Sequence, residues 1–87
     1  MTAHRATGPT VTFKGELLPG ASTEPQEPNR DLVVTTFKAL MPRSIDLSAH
    51  DTLTVLGKEY EFDGEPIPIL IHGRVHHYEA TVRRVTG

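Results

Sequence analysis

A chain of 87 residues and 9.6 kDa has room for one small domain and no second core. Scaling laws put its folded surface near ~5,000 Å² against ~14,000 Å² unfolded, so roughly 60% is buried and oligomerisation is the remaining staple. With no cysteine, disulfides, zinc–thiolate sites and thiol nucleophiles are excluded, and a net charge of -2 with a pI near 6.2 argues against a domain built to neutralise a phosphate backbone. No apolar run approaches the roughly 20 residues of a membrane span, and Met1 to Pro9 lacks the apolar stretch of a secretory signal, so a soluble protein made in a cytoplasm is expected, with no membrane partner.

The opening MTAHRATGP is polar and aperiodic, which predicts a flexible arm over residues 1–9. From Thr10, TVTFKGELL places Val11, Phe13 and Gly15 on one parity and Thr10, Thr12 and Lys14 on the other, the alternation of a half-buried strand closing at Pro19-Gly20. PGASTEPQEPNRD then predicts a long exposed loop over residues 19–31, and loops of that length in a small domain are either functional or solvated spacers. LVVTTFKALMP is β-branched and aromatic with apolar residues on both parities, as in a strand buried on both sides or bent around a barrel, and Pro42 ends it. In SIDLSAHD, the side chains of Ser44, Asp46, Ser48 and Asp51 can bond the backbone of turns or of one short helical turn.

LTVLGKEYEF reads as a hairpin, with Leu53 and Val55 before a Gly57-Lys58 turn and Tyr60 and Phe62 after it. Asp63-Gly64 forces a second turn, and Pro66 and Pro68 forbid a central strand, leaving an edge strand around Ile69 to His72. RVHHYEATVRRVTG alternates nearly to the C-terminus and predicts a final strand. About six short strands without a helix of three turns predict an all-β fold, a small antiparallel β-barrel over residues 10–87, with a core of Val11, Phe13, Val33, Phe37, Val55, Tyr60, Phe62 and Val82.

His72, His76, His77 and Glu79 form the densest group of metal-ligating types, yet on a regular strand His76 and His77 point to opposite faces. At most one of them joins His72 across the Gly73 turn, too few ligands for a closed or a catalytic zinc site, and His77 is expected beside Glu79 on the outer face. The serines lack a nucleophile-elbow context and the glycines form no phosphate loop, so neither catalytic residue, metal nor cofactor is expected and the chain reads as a non-enzyme. Charge is more informative. Residues 58–65 hold one Lys against Glu59, Glu61, Asp63 and Glu65, whereas residues 74–87 hold Arg74, Arg83 and Arg84 against Glu79. The two regions either neutralise each other within one chain or let the acidic edge of one subunit meet the basic edge of the next, which makes Glu59, Glu61, Asp63, Glu65, Arg74, His77, Arg83 and Arg84 the candidate interface residues.

The order STEPQEPNRD, LVVTTFKALMP, DLSAHDTLTV, LGKEYEFDGEP and GRVHHYEATVRRVTG, spanning Pro19 to Gly87, resembles the head-to-tail stopper, or head-closure, proteins of long-tailed bacteriophages. Its most characteristic pieces are G-x-x-Y-x-x-D-G-E-P over Gly57 to Pro66 and R-R-V-x-G over Arg83 to Gly87. The resemblance implies a β-barrel forming a six- or twelve-fold ring at the head–tail junction of the virion, stacked between portal or adaptor and tail terminator or tail tube. It also implies a channel loop, here Ser22, Thr23, Glu24, Pro25, Gln26, Glu27, Pro28, Asn29 and Arg30. Glu24 and Glu27 against Arg30 suit a plug or sliding contact with packaged DNA better than tight phosphate binding. Many relatives carry a strand or hairpin before the position of Thr10, where this sequence offers nine residues, so a barrel that is incomplete or completed by a neighbour is a further expectation. The alternative is a stand-alone SH3-like or OB-like barrel binding a peptide or oligonucleotide; oligonucleotide binders display exposed aromatics on one face, and this chain has five aromatics, most on core parity.

Overall fold

In the computed structural model two long strands carry the architecture, and the structure describes residues 1–20, 24–25 and 33–86. β5 (Val33–Pro42) and β9 (Arg74–Thr86) pair antiparallel from Val33 opposite Thr86 to Pro42 opposite His77. Around them lie β1 (Thr2–His4), β2 (Val11–Thr12), β3 (Glu16–Pro19), β4 (Glu24–Pro25), β6 (Thr52–Val55), β7 (Lys58–Phe62) and β8 (Ile67–Ile71). Among the described residues every pairing is antiparallel, in the order β2-β1-β6-β7-β9-β5-β3, with β4 on β5 and β8 on β9.

The two ends of that order are successive halves of one segment. Val11 and Thr12 lie opposite Ala3 and Thr2 of β1, whereas Glu16 to Pro19 run along Leu40 to Phe37 of β5. The segment Val11–Pro19 therefore closes the curled sheet into a small barrel of six staves, which removes two free edges at once. The crossing is tight: Met1 and Phe13 exchange backbone hydrogen bonds of 2.8 and 2.9 Å, and a β-carbon on Gly15 would lie 2.6 Å from the Leu40 carbonyl oxygen and 2.9 Å from Met1 Sδ. Only glycine lets the chain leave β1 and reach β5 there.

The barrel encloses Ala3, Ala39, Met41, Leu47, Leu53, Tyr60, Phe62, Ala80 and Val82, with Val11, Phe13, Phe37 and Val55 packed against them. Ala39 faces Ala80 across β5 and β9, and Phe37 meets Tyr60 edge to face at 5.6 Å. Met41, Leu53 and Val82 are the largest side chains withdrawn fully from water, each contributing on the order of 1.5–3 kcal/mol. Of the predicted core, Tyr60, Phe62 and Val82 are buried, Val11, Phe13, Phe37 and Val55 pack on it, and Val33 is half-buried.

Five boundaries differ from the sequence reading. Residues 1–9 are not a free arm, because β1 lies between β2 and β6, Ala3 is fully buried, and the Asp51 carboxylate accepts the amides of Ala6 and Ser48, each at 2.8 Å. A three-residue strand whose one core side chain is alanine is too short for periodicity to reveal, and it occupies the stave expected from a neighbour. The strand from Thr10 breaks at Phe13–Gly15 because it changes partner. The first hairpin turns at Leu56-Gly57, with φ of 52° and 76°, the two left-handed residues of a two-residue turn, one position earlier than Gly57-Lys58. The expected loop over residues 19–31 is also interrupted: Pro19 belongs to β3, the Gly20 amide donates to the Thr36 carbonyl at 3.1 Å, and Glu24–Pro25 pair with Val34 and Val33. The edge strand appears as β8, starting two residues earlier than read; Pro68 is accommodated because β8 pairs with β9 alone among the described strands.

Gly15→Ala is expected to destabilise the domain by roughly 1–3 kcal/mol in urea denaturation, since the added methyl meets backbone rather than a movable side chain. An unchanged midpoint would contradict the tight crossing.

Candidate functional site

The β8–β9 hairpin turns at His72-Gly73, again with two left-handed residues, φ 52° and 75°. Its register slips: Ile69 lies opposite His77, but Leu70 lies opposite Val75, so β9 carries one extra residue, His76. Such a bulge bends the strand and re-aims side chains, and it overturns the expectation that His76 and His77 point apart. Their Nδ1 atoms lie 2.9 Å from each other, with the rings edge to face at a centroid separation of 5.1 Å. His77 Nε2 is 2.9 Å from Glu79 Oε2, as expected from their i, i+2 placement, and Glu79 Oε1 is 3.3 Å from Lys38 Nζ.

These contacts form a relay from Lys38 through Glu79 and His77 to His76. Hydrogen bonds from His77, and then from Lys38, hold the Glu79 carboxyl below its ordinary value, against a smaller opposing effect of burial. When His77 is neutral and donates Nε2–H to the carboxylate, its Nδ1 keeps the lone pair and accepts from His76 Nδ1–H. Among the described residues no group of three or more His, Asp or Glu is placed to hold a metal ion. His72 lies at the hairpin tip, in a 430 Å³ cleft that it shares with Arg43, Arg74 and His76.

Beside the histidine pair runs an open cleft of about 280 Å³, floored by Gly15, Leu40, Met41 and Pro42 and rimmed by Lys14, Glu16, His76 and His77. The closing segment supplies one wall and the end of β5 the other, so the same crossing that seals the barrel shapes this groove.

The candidate interface charges do not form one patch. Glu61 lies opposite Arg83 across β7 and β9, and their side chains approach to 3.7 Å, so this pair is met within the chain. Both are well exposed, which leaves the pair worth little to stability. Glu59 is exposed opposite Thr54, while Asp63 and Glu65 border a 210 Å³ cleft with Lys38 and Glu79. Arg74 is exposed at the far end of β9, Arg84 is half-buried, and His77 is engaged by Glu79. Of the channel-loop residues, Ser22, Thr23, Gln26, Glu27, Pro28, Asn29 and Arg30 lie outside the described residues, and Glu24 and Pro25 form β4.

Sequence reading passed over the uncovered apolar residues. Ile67, Leu70 and Ile71 of β8 are 61%, 59% and 47% exposed, and Leu56 at the β6–β7 tip is 96% exposed. The signal was present in IPILI: apolar residues on both parities need cover on both faces, whereas the prolines confine the segment to an edge.

In comparisons with known proteins the chain matches no family model, no curated protein and no solved structure.

The lowered Glu79 carboxyl has a definite sign. A group depressed in the fold stabilises it above the unfolded value, and that contribution is lost as the pH falls through the folded value. Glu79→Gln is therefore expected to be less stable than the parent at neutral pH and to converge with it in acid. Urea denaturation of both proteins between pH 7 and pH 3 checks this, and a pH-independent difference would contradict it.

Proposed function

We propose that the chain is a structural subunit of a bacteriophage neck, a ring-forming head-closure protein seated between the portal or adaptor complex and the tail. The virion setting rests on the resemblance of Pro19 to Gly87, above all G-x-x-Y-x-x-D-G-E-P and the terminal R-R-V-x-G. The observation that carries the subunit role is the uncovered apolar surface at both ends of an elongated barrel, 47 Å in its longest dimension against 29 and 20 Å. The register sends the Leu56 tip toward the end where Val33 faces Thr86, and the apolar β8 toward the opposite end, beyond Pro42. A subunit that meets further copies of itself in a ring needs such contact surface at both ends; a free monomer gains nothing from it.

An oligonucleotide-binding barrel is the weaker reading. All five aromatics, Phe13, Phe37, Tyr60, Phe62 and Tyr78, lie in the core or pack against it, so none is left as a platform for stacked bases. In the proposed ring, contact with packaged DNA is at most weak, and the surfaces that matter face protein.

A phage with a nonsense codon in this gene is expected to yield DNA-losing heads separate from complete tails by negative-stain microscopy, with joined particles restored by the gene in trans. Normal tailed particles from the nonsense mutant would contradict the neck assignment.

A further inference from the structure

We infer that the β6–β7 tip is a self-docking element, in which Leu56 of one copy seats in the cleft beside His76 and His77 of a second copy. The inference rests on the ring reading and names its contact.

Leu56 is an expensive residue for its position. Its φ of 52° is left-handed, where a β-carbon is strained and where this kind of turn favours Asn or Gly. It is also almost wholly in water. Asparagine would relieve the backbone and suit the solvent, so neither local geometry nor solubility accounts for leucine. Backbone strain together with an exposed apolar side chain points to a contact outside the chain. A β-carbon built on the neighbouring Gly57 would have nothing within 4 Å, so the tip stands clear and can enter a groove.

The cleft fits that occupant. Its floor of Gly15, Leu40, Met41 and Pro42 is apolar, and the cleft, about 280 Å³, is open to an entering side chain. The charges also match. Lys58 and Glu59 follow the tip and are exposed, while Glu16 and Lys14 stand on the cleft rim, so docking sets Lys58 against Glu16 and Glu59 against Lys14.

Tip and cleft lie toward opposite ends of the β5–β9 pair, so one molecule cannot satisfy its own tip. The contact is head-to-tail, which closes into a ring when the rotation per step divides a full turn and otherwise continues as a filament.

Sedimentation over a concentration series, with the full chain and Leu56→Asn, tests the contact. The parent is expected to associate, and the variant to associate roughly ten- to a hundredfold more weakly, the equivalent of one buried leucyl side chain, with an equal or higher Tm. Because the chain has no cysteine, a Lys58→Cys, Glu16→Cys double variant treated with a short bismaleimide should give a ladder beyond the dimer, and each single variant no more than a dimer. Parent-like association of Leu56→Asn, a parent that stays monomeric throughout, or absence of the ladder would each overturn the contact. Rings that persist in virions carrying Leu56→Asn would also overturn it while leaving the neck reading intact; normal tailed particles without this chain would remove the neck reading alone.

Discussion

The segment Val11–Pro19 pairs with β1 through its first half and with β5 through its second, and the barrel exists because of that double pairing. Without it β1 and β5 would each present a bare edge, and the core under Ala3, Ala39 and Met41 would lie open on one side. The crossing is feasible because residue 15 has no side chain and because β1 is held from behind, its following residue Ala6 bonded to the buried Asp51 carboxylate. A domain this small has little stability to spare, so one polar staple and one glycine carry an unusual share of it.

Closure by so short a segment leaves β5 and β9 free to run beyond the barrel wall, and the uncovered apolar residues lie toward their two ends. At one end β9 acquires a bulge at His76 and pairs with the apolar edge strand β8; toward the other lie the Leu56 tip and the start of β5. The bulge joins two adjacent histidines to Glu79 and Lys38, while the closing segment and the end of β5 form the groove beside them. Packing at the centre thus determines the surfaces available for assembly. This division between a fixed core and exposed ends is what the proposed neck subunit requires, since each face must meet a different neighbour.

Much of the fold was legible in the sequence because LTVLGKEYEF and HHYEATV show their alternation plainly and LVVTTFKALMP is rich in β-branched and aromatic residues. What escaped did so for physical reasons. β1 buries one alanine, and a single small side chain generates no period. The split at Gly15 depends on which partner each half of the segment finds, a tertiary fact. The meeting of His76 and His77 follows from one residue of register slip, which flips a side chain from one face to the other and leaves no mark in the sequence. The pairing of Glu61 with Arg83 was legible as opposite charge between two hairpins, but its place within the chain rather than between chains was fixed by the β7–β9 register.

The proposed neck ring is tested most directly by locating the chain. Cryo-electron microscopy of virions carrying a gold label on the C-terminus should place the label at the head–tail junction, in a ring of small barrels around the channel axis. Label elsewhere on the particle, or none on any virion, would contradict the account and return the barrel to a stand-alone binding role.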